Sequence, residues 1–145
     1  MKRLETISPN LVEKLRRAPP AKQRQATLAA CEFAIAHAKV ENPLVEAALA
    51  SLRASRGFSP KQKAELEALA TRLDEQYLDL HEAAEEGRAT TNDYLPVFEK
   101  SLAVSALSFA GTEDPFEAST EAVYEAAIAT DKNKELFAVV ETALK

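Results

Sequence analysis

The chain has 145 residues, of which 46% are hydrophobic and 28% are charged, as expected of one ordinary globular domain spanning residues 1–145. Its formal net charge is -5, and residues 25–145 carry eleven basic against twenty-one acidic residues, which argues against general nucleic-acid binding and favours a basic protein partner. No run of about eighteen apolar residues predicts a membrane span, and a single cysteine, Cys31, fits a reducing, cytoplasmic compartment.

The first predicted helix is short, and the second is long and apolar. The first begins at Ser8, a capping residue followed by proline, and ends before the proline pair that starts at Pro19. The second runs from Pro20 to about Val40 and is apolar on nearly every side, which is typical of a helix buried at the centre of a bundle. Cys31 lies on its apolar stripe, so we predict an unreactive core thiol.

A third helix is predicted from Pro43 to Ser55, with Gly57 after it, and a long fourth helix from Ser59 to Gly87. Ser59 can cap the fourth helix, and Gly87 can take the left-handed conformation that ends a helix. Together with the second helix, the fourth is expected to form the centre of the fold. The apolar stripe predicted for its core face consists of Leu66, Leu69, Ala70, Leu73, Tyr77, Leu80 and Ala84.

Three more helices are predicted in the last third of the chain. The fifth follows capping residues at 90–93 and ends at Gly111, the sixth runs from Asp114 to Thr130, and the seventh covers about 134–144. No strand signal occurs, so the predicted fold is an all-α, single-domain bundle of about seven helices. The positions expected to face inward are Leu95, Phe98, Leu102, Ala106 and Phe109 in the fifth helix, Phe116, Val123 and Ala127 in the sixth, and Leu136, Val139, Val140 and Ala143 in the seventh.

Signatures of catalysis, of metal binding and of cofactor binding are missing. Two histidines and one cysteine are too few for a structural zinc site, and the helix at His81 lacks the second histidine of a zincin motif, since Glu85 stands there. Glu32 and His37 are five residues apart on one helix and point to different sides, so they do not predict an acid–base pair. We therefore expect no metal, no cofactor and no enzymatic activity.

The acidic end of the fourth helix is the candidate site for a partner. Its carboxylates are like-charge neighbours near a helix C-terminus, an arrangement that helix stability alone does not favour. Leu78 lies between them, away from the core stripe, as an apolar anchor of a protein interface does. A solvated face with one exposed leucine is the alternative interpretation. The predicted partner-binding residues are Asp74, Glu75, Leu78, Asp79, Glu82, Glu85 and Glu86.

The second and third helices share one recognisable layout of residues. It consists of Arg24, Leu28, Cys31, Glu32 and Ile35, the run from Asn42 to Ala48, and Arg56 with Gly57. This layout resembles helical immunity proteins of bacterial polymorphic toxin systems, and the resemblance implies a cytoplasmic protein that binds and neutralises a cognate toxin. The chain lacks a tryptophan near Leu52 and an Asp-Asp-Arg-Pro-Arg-like run before the third helix, so no functional residue is carried over.

The sequence thus favours a protein-binding module, an immunity protein that blocks a basic toxin by stoichiometric binding through its acidic surface. Two other classes stay open. One is a helical enzyme or small-ligand carrier with an aromatic pocket lined by Phe33, Phe98 and Phe109, and the other is a regulatory adaptor domain.

Overall fold

A computed structural model describes residues 2–145, and this part of the chain contains seven α-helices and no strand. The predicted all-α fold with seven helices is therefore confirmed. A short 3-10 helix over Arg3–Thr6 precedes the bundle. The helices are α1 (Pro9–Arg17), α2 (Pro20–Ala38), α3 (Pro43–Arg53), α4 (Pro60–Glu85), α5 (Thr91–Phe109), α6 (Pro115–Thr130) and α7 (Asn133–Leu144).

The predicted helix starts are confirmed because they depend on local chemistry. Five helices begin with a proline in the first turn, where its missing N–H costs no hydrogen bond. The Ser59 hydroxyl accepts a hydrogen bond from the Gln62 amide, and the Gln62 side chain accepts one from the Ser59 amide, which closes a capping box. Asn42 and Asp114 cap α3 and α6 with their side-chain oxygens, which accept hydrogen bonds from the Leu44 and Glu117 amides, but neither closes a capping box.

The helix ends are confirmed for α4 but not for α3. Gly87 has a φ of 79° after α4, as predicted. After α3 the left-handed residue is Ser55, with a φ of 57°, and Gly57 does not take that conformation. The amide of Arg56 donates to the Ser51 carbonyl at 2.8 Å, so the chain reverses two residues earlier than the glycine suggests.

Helix α2 occupies the centre of the bundle. It packs against α5, α6 and α7, and its C-terminal half also meets α3. Buried apolar residues from every described helix join one core cluster, in which α2 contributes Ala26, Ala30, Cys31, Ala34 and Ile35. The prediction that α2 is the buried central helix is therefore confirmed, and it places Cys31 in the core with no exposed surface.

Helix α4 does not share the centre, which corrects the second half of that prediction. It packs against α5 and meets α3 near its own start, while the flanks of α2 are occupied by α5, α6 and α7. Only Leu66 and Leu69 of α4 are fully buried, and the rest of the predicted stripe, from Ala70 to Ala84, is half-buried. The stripe identified the inward face correctly, but beyond the first half of α4 this face is covered mainly by α5.

Two other positions expected to face inward are exposed. Leu95 is 43% exposed because it lies near the start of α5, where α5 packs mainly on α4. Val139 is 37% exposed because Leu136 and Val140 already fill the contact of α7 with the core.

Arg3 fastens the N-terminal segment onto α6. Its guanidinium pairs with Glu121 and, at 3.1 Å, with the buried carboxylate of Glu125, and it lies 4.4 Å from the ring centre of Tyr124. Burial raises the pKa of Glu125 above its ordinary value, by more than the hydrogen bond and charge of Arg3 lower it. Arg3 therefore compensates a carboxylate that the fold desolvates.

Candidate functional site

The candidate site lies on a two-helix arm, which we define as residues 71–98: the second half of α4, the connecting turn and the start of α5. No residue from 70 to 100 is buried, whereas each of the other helices contributes fully buried side chains. The two halves of the arm cover each other and extend from the rest of the chain, which we call the body. At 1.5 Å per residue, the α4 half of the arm is roughly 20 Å long.

The arm carries all of the net charge of the chain. Residues 71–98 contain seven of the 23 acidic residues and two of the 18 basic ones, a balance of -5. The rest of the chain is left with sixteen of each and is formally neutral. Within the body, residues 2–24 have a charge balance of +5 and the remaining residues one of -5, so the excess of acidic residues is densest on the 28-residue arm.

All seven predicted partner-binding residues are exposed on this arm. Glu85 lies 3.4 Å from the Nδ1 atom of His81, and Glu86 pairs with Arg88 at 2.6 Å. The other four carboxylates form no ion pair with any residue in 2–145, so they face solvent. These four are Asp74, Glu75, Asp79 and Glu82.

Leu78 stands among these carboxylates and is 54% exposed, the largest value among the large apolar side chains of residues 2–145. Leu95 lies on the other helix of the arm and is 43% exposed. Two exposed leucines and a set of unpaired carboxylates on one element give the arm both features of a protein-docking surface, an apolar anchor and a charged surround.

Aromatic side chains hold the two halves of the arm together. The ring of Tyr77 lies 4.9 Å from Phe98, and the ring of His81 lies 5.1 Å from Tyr94. Tyr77 also contacts the edge of Tyr94 at 6.0 Å, so the four rings form one row between antiparallel helices. The inner side of the arm is therefore structural, and its outer side is free to carry a partner.

At the base of the arm, His37 from α2 and Glu99 from α5 are joined by a 2.9 Å hydrogen bond. Glu32, the other polar residue of α2 noted in the sequence, accepts two hydrogen bonds from Arg53 of α3. The prediction that Glu32 and His37 do not pair is confirmed. Their true partners are 21 and 62 residues away, too far along the chain for helical spacing to identify them.

The aromatic pocket suggested for a ligand carrier does not form. Phe98 packs on Tyr77 in the arm, whereas Phe109 lies 5.7 Å from the guanidinium of Arg3 on the body. The two phenylalanines are eleven residues apart on α5, or roughly 16 Å. None of Phe33, Phe98 and Phe109 lines either of the two clefts described for residues 2–145.

A different cleft of about 810 Å³, which the sequence interpretation missed, lies between the start of α2, the α3–α4 turn and the end of α5. Its signal in the sequence is the segment between Glu46 and Glu65, which has four basic residues and no acidic one. Four cations line it, namely Arg24, Arg53, Arg56 and Lys63, together with one acidic residue, Glu113.

The described residues contain neither a metal site nor a membrane-spanning helix, and the chain matches no known protein. Within residues 2–145, no three His, Cys, Asp or Glu side chains are grouped so that they could hold a metal ion. None of the seven helices combines the length and apolarity that crossing a membrane requires. No family model, curated protein or solved structure matches the chain. The resemblance to immunity proteins therefore stays a prediction.

Proposed function

We propose that this chain is a protein-binding module whose arm docks on a basic surface of another protein. The observation that carries the proposal is the density of acidic charge on the arm: residues 71–98 have a charge balance of -5 and contribute no fully buried side chain to the core. The proposal assigns the chain no catalytic step and places it in the cytoplasm.

Electrostatic steering is the first role of the arm. Unpaired, exposed carboxylates on a projecting element create a negative potential that extends about one Debye length into solvent, or roughly 10 Å at 0.1 M salt. Such a potential raises the rate at which a positively charged partner arrives, and it affects the rate of departure much less.

Leu78 supplies the second role, which is to slow dissociation. Leu78 is 54% exposed in the free protein, and a partner that covers it removes this apolar surface from contact with water, which is favourable. The four carboxylates around it form the polar rim that such an anchor requires. Leu95 on the second helix of the arm is 43% exposed and is a second apolar residue that a partner could cover.

More specifically, we propose that the partner is a toxin and that the chain is its immunity protein. The resemblance of the second and third helices to immunity proteins supports this identification. A toxin that acts on nucleic acid would carry a basic surface, which is the charge that the arm attracts. Binding one toxin molecule through the arm would block it stoichiometrically.

The experiment is site-directed photo-crosslinking in the native host. A photoreactive phenylalanine analogue replaces Leu78 of the arm in one variant and Ile128 of α6, the matched control, in another, because Ile128 is an apolar residue of the body that is 39% exposed. We expect one basic protein to be crosslinked from position 78 and not from position 128. Equal crosslinking at both positions, or a captured protein with no basic surface, would contradict the proposal.

A further inference from the structure

The cleft on the body lies at the opposite end of α4 from the tip of the arm. Lys63 lines the cleft and Glu85 ends the helix, so the two sites are roughly 33 Å apart along α4. A ligand in the cleft would therefore touch none of the carboxylates of the arm. Any function of the cleft is independent of the docking function proposed above.

Two of the four cations in the cleft already form structural hydrogen bonds. The Arg24 guanidinium donates to three backbone carbonyls after α5, those of Ala110 at 3.3 Å, Thr112 at 3.0 Å and Glu113 at 2.6 Å. Arg53 donates twice to Glu32, at 2.7 and 3.0 Å. Arg24 satisfies the free carbonyls at the end of α5, and Arg53 joins α3 to α2 through Glu32. Neither side chain is therefore free to bind an anion.

Arg56 and Lys63 are different, because neither makes an ion pair or side-chain hydrogen bond with any residue in 2–145. Both line the cleft, and the only acidic residue there is the exposed Glu113. Two uncompensated cations in one concavity of a chain with net charge -5 are an attractive site for an anion, since the low-dielectric walls of a cleft concentrate the field.

Part of the cleft lining is apolar. Leu28 of α2, Leu52 of α3, Phe58 of the turn and Ala110 at the end of α5 contribute to it. Phe58 is nearly covered, and Leu28 and Leu52 are half-buried with surface left to contact a ligand. Apolar side chains and free cations in the lining of one cleft are the combination that binds an organic anion, since most small-molecule sites combine apolar walls with a few placed polar groups.

From these observations we infer that the cleft between α2, the α3–α4 turn and α5 binds a small organic anion, with Arg56 and Lys63 holding its charged group and Leu28, Leu52 and Phe58 contacting its apolar body. The cleft volume of about 810 Å³ falls in the range of small-molecule sites, roughly 300–1,000 Å³. Two free cations are too few for a nucleic-acid backbone, whose binding draws on many phosphate contacts.

The glycines of the chain provide a built-in reporter. The chain has three: Gly57 and Gly111 line the cleft, and Gly87 lies at the tip of the arm. The experiment titrates the ¹⁵N-labelled full chain with sodium octanoate and, separately, with octyl phosphate. Octanol supplies the same apolar body without charge, and acetate and inorganic phosphate supply the charge without the body.

We expect octanoate or octyl phosphate to shift the amide signals of Gly57 and Gly111 in a saturable way and to leave Gly87 in place. Whichever of these two ligands binds more tightly shows whether the cleft prefers a carboxylate or a phosphate. Octanol, acetate and inorganic phosphate should each bind at least about tenfold more weakly, because octanol lacks the charged group and the other two lack the apolar body.

Three variants complete the test. Arg56→Gln with Lys63→Gln should weaken binding about tenfold or more, since both charge-assisted hydrogen bonds are lost. Gly57→Leu should also weaken it, because Gly57 lines the cleft and a Cβ there meets no atom within 4 Å, so a larger side chain can take up space at the cleft without a clash. Lys61→Gln, which removes an exposed cation outside the cleft, is the matched control and should bind as the wild type does.

The inference is overturned if neither amphiphilic anion gives saturable shifts at Gly57 and Gly111, or if octanol binds as tightly as octanoate. It is also overturned if the double variant binds as tightly as Lys61→Gln. Because Gly87 and the arm take no part in this measurement, these outcomes leave the docking proposal unaffected.

Discussion

The arm and the body share two helices, α4 and α5, yet the same helices behave differently in the two regions. In the body, α5 buries Val104 and Leu107 completely, and the acidic and basic residues balance. In the arm, no side chain is fully buried, and acidic residues outnumber basic ones by five. A helix is thus stabilised by what covers it, and where only one neighbour covers it, its outer face becomes available for another protein.

Matched leucine truncations give the largest expected difference between the two regions. Leu107→Ala in the body should lower the free energy of unfolding by about 2–5 kcal/mol, because it leaves a cavity in a fully covered site. Leu80→Ala in the arm should cost about 1 kcal/mol, since the half-buried side chain loses less buried surface and solvent fills the space. Urea denaturation measures both, and equal costs would mean that the arm is packed as tightly as the core.

Two glycines at one cleft give the next contrast. A Cβ at Gly111 would lie 2.7 Å from the Phe58 ring, which is itself buried, so Gly111→Ala should destabilise the body by about 1–3 kcal/mol. Gly57→Ala meets no atom within 4 Å and should be neutral or stabilising by up to about 1 kcal/mol. Thermal melting compares the two, and a reversed order would show that Phe58 does not pack on Gly111.

Removing Arg3 exposes the cost of the buried carboxylate in the body. The pKa of Glu125 is raised in the folded state, so between the ordinary pKa of a glutamate, about 4.3, and the raised value, the folded chain holds a proton that the unfolded chain has lost. The contribution of Glu125 to stability therefore falls as the pH rises through this interval. It is most favourable below the interval.

Arg3→Met should consequently lower stability by about 1–2 kcal/mol at pH 7, a value below that for a fully buried pair because Arg3 is itself half-exposed. The loss should shrink when the pH is lowered past 4.3, where Glu125 is neutral in both states. Arg17→Met, at an exposed arginine of α1, is the control. A loss that is the same at pH 4 and pH 7 would indicate that Arg3 acts through packing on Tyr124.

Charge reversal on the arm has the smallest expected effect on stability. Glu75→Lys with Glu82→Lys replaces like-charge neighbours by opposite pairs, each worth about 0.2–0.5 kcal/mol, and favours the helix dipole near the end of α4. The midpoint of thermal unfolding should stay the same or rise slightly. A clear fall would show that these carboxylates support the fold.

The sequence predicted the features that arise within one helix. The helix starts could be predicted because a capping residue and the proline after it act within one turn, as at Ser59 and Asp114. The buried face of α2 and the burial of Cys31 followed from the absence of a polar side. The acidic outer face of α4 followed from the same periodicity.

Features that depend on contacts between distant segments could not be predicted. The stripe on α4 shows which face is buried, but not that α5 alone covers most of it, so the arm was missed and α4 was placed at the centre. The His37–Glu99 hydrogen bond and the contact of Arg24 with the α5–α6 turn join residues more than 60 positions apart. The cleft forms where three such segments meet, and no single segment reveals it.

The rate of association between the full chain and the partner crosslinked from position 78 tests the central claim most directly. Stopped-flow measurements at low and at near-physiological salt compare the wild type, Glu75→Lys with Glu82→Lys, and a control, Glu41→Lys with Glu67→Lys, whose equal charge change lies outside the arm on exposed residues. We expect wild-type association to slow about tenfold or more as salt screens the arm. The arm variant should be slow at both salt concentrations, and the control should behave like the wild type. Identical rates for all three proteins at low salt would contradict the claim that the arm is the docking surface.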